Sequence, residues 1–212
     1  MKKIFFVLGL VCIYNMGVAQ TTIGLKLDYS QGVSSSKMLE LDKENRIDYN
    51  LNYKGQENII SFGISSRTQL GPFFLAKDVM YRKTTNIFDL ENFIIEDAVY
   101  ERSVSETTHQ FIVPIAAGFD VGDLYFGAGP ILKYALDTER SAELTDAFVF
   151  KDRKFSSAFQ FLAGFKLNKH IHLNLKYEAA MGSIGDGYYY NAEKINFKTA
   201  PNLLTAGLGL YF

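Results

Sequence analysis

Three histidines, His109, His170 and His172, are the side chains of this sequence best suited to moving protons near neutral pH. A hydrolytic nucleophile needs such a base within hydrogen-bond reach, itself oriented by a third group. His109 has Ser103, Ser105, Glu106 and Thr108 close by, all in a stretch that reads as a loop end, and no complete triad follows from that spacing. His172 shares a strand face with Glu178, but no serine stands between them. His170 and His172 would offer two imidazoles on one face, as a metal site can use, yet His170 falls in a tight turn and no third ligand accompanies them. Gly127-Ala128-Gly129 is flanked by strand pattern on both sides with no helix to follow, so it is not a dinucleotide-binding loop. The sequence therefore predicts no catalytic, cofactor-binding or metal site and a protein that is not an enzyme.

The elements that carry these residues follow from composition and period. The chain has 212 residues, with 22 Lys+Arg against 23 Asp+Glu, so no strong field draws it to nucleic acid. Phe and Tyr number 18 and 13 against no Trp, a bias toward strands. Cys12 is the one cysteine, which excludes a disulfide framework and a thiolate cluster. Lys2 and Lys3, an apolar run over 4–14 and the small residues Gly17 and Ala19 make a secretory signal peptide over 1–19, cleaved before Gln20. The run is too short for a membrane helix, which needs ~20 apolar residues.

From residue 20 to 212 the period is two, in a single barrel domain. Ile23, Leu25, Leu27 and Tyr29 alternate with Gly24, Lys26, Asp28 and Ser30. The same alternation runs through 60–65, 110–119, 124–136, 159–167, 171–182 and 203–212, with a less clean strand near 73–82. Breaks near 67–72, 120–123 and 167–170 are short, whereas 32–57, 83–108, 137–155 and 185–199 are long and polar. This predicts an all-β, eight-stranded antiparallel up-and-down barrel with both termini on the tight-turn side.

Which face meets which solvent is set by the charges. One face carries Lys26, Asp28, Gln160, Lys166, Asn174, Lys176 and Glu178 together with many glycines; the other carries Leu, Ile, Phe and Tyr. An eight-stranded interior is just wide enough for side chains, so small residues must alternate there with long ones. Polar inside and apolar outside is the pattern of a transmembrane barrel. The charges Lys26, Asp28, Asp78, Arg82, Lys133, Lys166, Lys176 and Glu178 are then expected to pair with one another and plug the lumen rather than line a transport path. The segment 203–212 ends in an apolar alternation closed by Phe212, which resembles the insertion signal of outer-membrane barrels. A charge at Phe212 is expected to disturb assembly more than one at Tyr211, which faces the lumen.

Over 22–212 the chain resembles the PorT-like outer-membrane β-barrel family of Gram-negative bacteria. The segments FFLAKDVMYRK (73–83), with Asp78 and Tyr81, and FIVPIAAGF (111–119), with Pro114, carry the likeness, as do LYFGAGPILKYAL (124–136), with Gly129-Pro130, and 159–184, with Gly164, Lys176-Tyr177 and Met181-Gly182. Two departures are Ile112, where the family often has an acid, and Lys77, where it often has a proline. Lys77 would face lipid, so that it either snorkels to an interface or a bulge changes the phase. The resemblance implies a protein of the cell outer membrane. Its expected partners are membrane lipids, the barrel-insertion machinery through the C-terminal strand, and a surface or secretion-system protein. A soluble periplasmic lipocalin-like barrel and a lipid A-modifying enzyme are the alternatives. The triplet Tyr188-Tyr189-Tyr190, after Asp186-Gly187 and before Asn191, reads as an interfacial anchor or a partner contact.

Overall fold

A computed structural model describes residues 20–33, 38–41, 48–94, 98–147, 149–151, 154–181, 188–190, 193–195 and 202–212. The signal segment 1–19, Gly182, Asp186, Gly187 and Asn191 lie outside the described residues. The strands in chain order are β1 (Gln20–Gly32), β2 (Met38–Leu41), β3 (Asp48–Gln56), β4 (Ile59–Leu70), β5 (Phe73–Ile94), β6 (Ala98–Val121) and β7 (Leu124–Arg140). A short helix α1 (Ala142–Ala147) is followed by β8 (Val149–Phe150), β9 (Phe155–Lys166), β10 (Ile171–Ala180), β11 (Tyr188–Tyr190), β12 (Glu193–Ile195) and β13 (Leu203–Tyr211).

Eight of these close a ring in the order β1-β4-β5-β6-β7-β9-β10-β13, with β13 returning antiparallel to β1. Neighbours in the ring are antiparallel and successive among the long strands, as an up-and-down barrel requires. Two of the tight turns have two residues: Leu70 pairs with Phe73 around Gly71-Pro72, and Val121 with Leu124 around Gly122-Asp123. Gly71 and Gly122 both take φ 62°, the left-handed value that a primed hairpin turn asks of its first central residue. The third turn spans 167–170, held by Asn168, whose Oδ1 accepts from the N–H groups of His170 and Ile171. Gln20 and Phe212 end on this same side.

The opposite side differs from the loops expected there. Segment 83–108 is largely strand: β5 and β6 keep pairing from Lys83–His109 to Ile94–Ala98, a hairpin standing well beyond the ring. Segment 32–57 supplies β2 and β3, and β3 adds to the outer part of β5. Segment 137–155 holds the end of β7, α1 and β8, and β8 joins β11 and β12 in a small sheet. Tyr53, Phe88, Leu90, Val104 and Leu144 are buried in this upper part, with Tyr53 and Phe88 edge to face at 5.6 Å. Thr84–Asn86 and Glu106–Thr108 are polar on both faces, which hides strand from a period-two reading although the backbone ladder continues through them. The four polar connections are thus in good part a folded cap.

Candidate functional site

Strand alternation sends every second side chain of the ring inward. On β1, Gly24, Lys26, Asp28 and Ser30 are buried while Ile23, Leu25, Leu27 and Tyr29 are exposed. The same division holds on β4, β9, β10 and β13, so Phe62, Ile64, Phe161, Leu173, Leu175, Leu204 and Leu208 stand outside. Lys77 is exposed on the outward face, and the β4–β5 register runs past it without a bulge. It lies opposite Ser66 on β4 and Ile115 on β6, with exposed Phe73 nearer the turn on the same face.

The inward charges meet in three tiers. On the cap side, Arg82 Nη1 donates to Glu178 Oε2 at 2.9 Å and Arg82 Nε to Ser61 Oγ at 3.0 Å, while Lys133 forms an ion pair with the other Glu178 oxygen. Arg82 and Glu178 are each only 2% exposed. In the middle, Lys26 Nζ donates to Asp78 Oδ2 at 2.5 Å, Ser65 Oγ donates to Asp78 Oδ1 at 2.6 Å, and Lys176 pairs with Asp28. On the turn side, Asp120 accepts from Arg67 Nη2 at 2.5 Å and from Lys166 Nζ at 2.6 Å. The Arg67 guanidinium lies 3.7 Å from the Phe74 ring centre and 4.6 Å from that of Tyr125. Charges taken out of water must be compensated in this way, because an unpaired one costs several kcal/mol.

Glycines make the room. A Cβ on Gly207 would sit 2.1 Å from Asp28 Oδ1, and one on Gly164 would sit 2.1 Å from the Tyr125 ring. The ring of Tyr125 fills the space over Gly164, and its hydroxyl donates to the Leu173 carbonyl at 3.0 Å.

The lumen wall is not polar throughout. Met80, Ile112, Ile131 and Ala158 form one buried apolar cluster, and Phe74, Ala76, Ala116, Tyr125 and Leu162 another. These come from β5, β6, β7 and β9, the same strands that bring Asp78, Arg82, Asp120, Lys133 and Lys166 into the lumen. Ile112, at the position where an acid was noted as usual, belongs to the first of these clusters.

The three histidines are not brought together as a site. His172 is buried in the lumen, its ring 4.5 Å from Tyr211 and 5.9 Å from Tyr125. His170 is in the turn, with Nδ1 2.8 Å from the Tyr211 carbonyl oxygen. His109 lies within β6, not at a loop end, with its Nδ1 2.5 Å from the Tyr81 hydroxyl on the outward face. Glu106 is held by Arg140 Nε at 2.8 Å. Among the described residues no three His, Cys, Asp or Glu side chains are placed to hold a metal ion. In the cap, burial pushes the Tyr53 phenol up to about 12, so it stays protonated across the physiological range.

Tyr211 also departs from expectation. It faces inward as expected, but it is 6% exposed, packs on His172 and lies 3.0 Å from Ser65 Oγ. A charge there would replace a packed ring beside the Lys26–Asp78 pair rather than reach water. Aspartate at Tyr211 therefore carries a packing cost, beside the assembly cost expected at Phe212, which is 78% exposed.

Among solved structures, the outer membrane protein OprG from Pseudomonas aeruginosa superposes with a TM-score of 0.50 at 12% identity, covering 91% of this chain and 95% of that one. The chain shares its fold with an outer-membrane protein. At that identity the likeness concerns the fold alone. Neisserial surface protein A matches with a TM-score of 0.43 at 14% identity, over 92% of this chain and 99% of that one. The outer membrane protease OmpT from Escherichia coli matches with a TM-score of 0.38 at 10% identity, over 92% and 96%. No family model matches the sequence. No curated protein matches it either.

Proposed function

We propose that the protein is an integral outer-membrane β-barrel, without a reaction of its own, whose lumen is closed by its own side chains. Its folded cap then acts as an interaction surface or in a secretion-accessory role of the kind the PorT-like motifs suggest. The observation that carries this reading is the inversion of the two faces: Leu25, Phe62, Phe161 and Leu175 are each more than half exposed, while Arg82, Asp28 and Glu178 are almost wholly buried. A lipocalin-like barrel in water would need the reverse. A closed ring also leaves no unpaired strand edge, the condition for placing a sheet in hydrocarbon.

Fractionated cells should yield the protein in the outer membrane, with faster gel migration before boiling than after. The membrane-extracted chain should begin at Gln20, where β1 begins. Recovery from the soluble periplasm, with no heat-dependent shift, would overturn the reading.

The paired charges and the two buried apolar clusters of the lumen wall support a second expectation. Purified protein in planar bilayers should show no steady conductance of the porin type, which needs ~16 strands to leave an aqueous channel. A large, stable, weakly selective current would mean that the ion pairs line an open path.

A further inference from the structure

On β5 the outward side chains between the tight turn and the cap run Phe73, Leu75, Lys77, Val79 and Tyr81, so a lysine stands at the centre of five. Lys77 is exposed, and its ammonium forms no ion pair or hydrogen bond among the described residues. Between the turns and the cap, no other outward side chain of the ring strands is charged.

The apolar wall continues on both sides of the lysine. Toward the turn, exposed Phe73 lies opposite exposed Phe119; toward the cap stands exposed Val79. Lys77 is four residues from Phe73, about 13 Å along the strand and about 10 Å in depth at the ~35–45° tilt of barrel strands. Lipid phosphates lie outside the hydrocarbon, farther from that depth than a lysine stem extends. A cation inside the hydrocarbon is expensive unless another group compensates it.

The surface around Lys77 is low. Ser66 lies directly opposite on β4, and Thr68 lies opposite Leu75. On the other flank Ala117 lies opposite Leu75, and Ala128 lies opposite Ala117 on β7. The Thr68 hydroxyl is 3.0 Å from that of Thr21 on β1. Small and hydroxyl-bearing side chains are those that let polypeptides approach closely inside a membrane.

We propose that Lys77, with Ser66 and Thr68 beside it, is the centre of a docking surface for a second, different membrane-embedded polypeptide that presents an aspartate or glutamate at the depth of Lys77. The proposal rests on the outer-membrane reading. A second copy of this chain lacks the complementary group, because its outward wall carries no Asp or Glu side chain between the turns and the cap. A lipid headgroup carries its phosphate at the wrong depth.

Two measurements test this. In lipid vesicles the purified full chain, without its partner, should unfold at a lower urea concentration than Lys77→Leu, by the cost of a lone cation on the lipid face. Equal midpoints would show that water already reaches the ammonium and would overturn the proposal. In intact cells, benzoylphenylalanine in place of Val79 should photo-crosslink to one membrane protein. The yield should fall about tenfold in Lys77→Glu, by like-charge repulsion, and persist in Lys77→Arg. It should return in Lys77→Glu once the partner's carboxylate residue is replaced by lysine. The same probe at Leu175, across the ring on β10, should not give this product. Crosslinks only to lipid or to a second copy, or a yield indifferent to Lys77→Glu, would overturn the proposal. Loss of the heat-dependent gel shift in the unaltered protein would instead count against the outer-membrane reading itself.

Discussion

Glu178→Leu should lower the stability of the folded barrel by ~3–5 kcal/mol, among the largest single-residue effects in the molecule. Glu178 is the shared acceptor of Arg82 and Lys133, and its carboxylate and the Arg82 guanidinium are almost fully buried. Leucine fills the volume but leaves two cations in a closed lumen facing the apolar cluster of Met80, Ile112, Ile131 and Ala158. The stability loss is read as a shift in the urea midpoint at which the fast-migrating folded band disappears in lipid vesicles. Arg82→Leu is the informative comparison. It keeps the Lys133–Glu178 pair, leaves no cation orphaned, and should cost clearly less. Equal losses of under ~1 kcal/mol, the scale of exposed pairs, would mean that water reaches these groups.

Leu25→Arg should cost ~2–4 kcal/mol if Leu25 lies near the middle of the hydrocarbon, by the depth dependence of cations on the lipid face of barrels. Leu25 is 55% exposed and sits between Ile64 on β4 and Leu210 on β13, an all-apolar row across three strands. Thr21→Arg, on the same strand near its turn-side end and opposite Thr68, should cost only ~0–1 kcal/mol. The gradient between the two substitutions is the measurement. In water, a leucine this exposed would change stability by within ~0.5 kcal/mol when replaced, so a flat response would return the soluble barrel to consideration.

Much of the ring was legible because its apolar outward face and its polar lumen impose opposite demands on adjacent residues. In β1, β10 and β13 the two demands fall on clearly different residue types, and strand, phase and face could all be read. The turns at Gly71-Pro72 and Gly122-Asp123 announced themselves through Gly71 and Gly122, which tolerate a left-handed backbone. Three features were not legible. The partners within the tiers, such as Lys26 with Asp78 across 52 positions of sequence, depend on which strands become neighbours and by what stagger. The buried apolar clusters of the lumen wall were masked because Ile112 and Ile131 look the same whether they face outward or a packed interior. The cap was masked for the opposite reason: Thr84–Asn86 and Glu106–Thr108 are polar on both faces, and only backbone pairing marks them as strand.

The seam between β1 and β13 has a consequence in time. Gly24 lies opposite Tyr211 there, so the contact that closes the cylinder joins segments separated by nearly the whole chain. Bringing such distant segments together costs loop entropy before any ladder rewards it, which makes folding slow. During that delay a partial cylinder has two open edges, and hydrocarbon offers them no hydrogen-bond partners. Under the proposed outer-membrane function, the polypeptide then could not thread into a bilayer strand by strand. It would have to cross to its destination unfolded, be kept from pairing its edges with other chains, and commit only when β13 is available. A chain cut short before β13 is accordingly not a weakened barrel but a pair of unmatched edges.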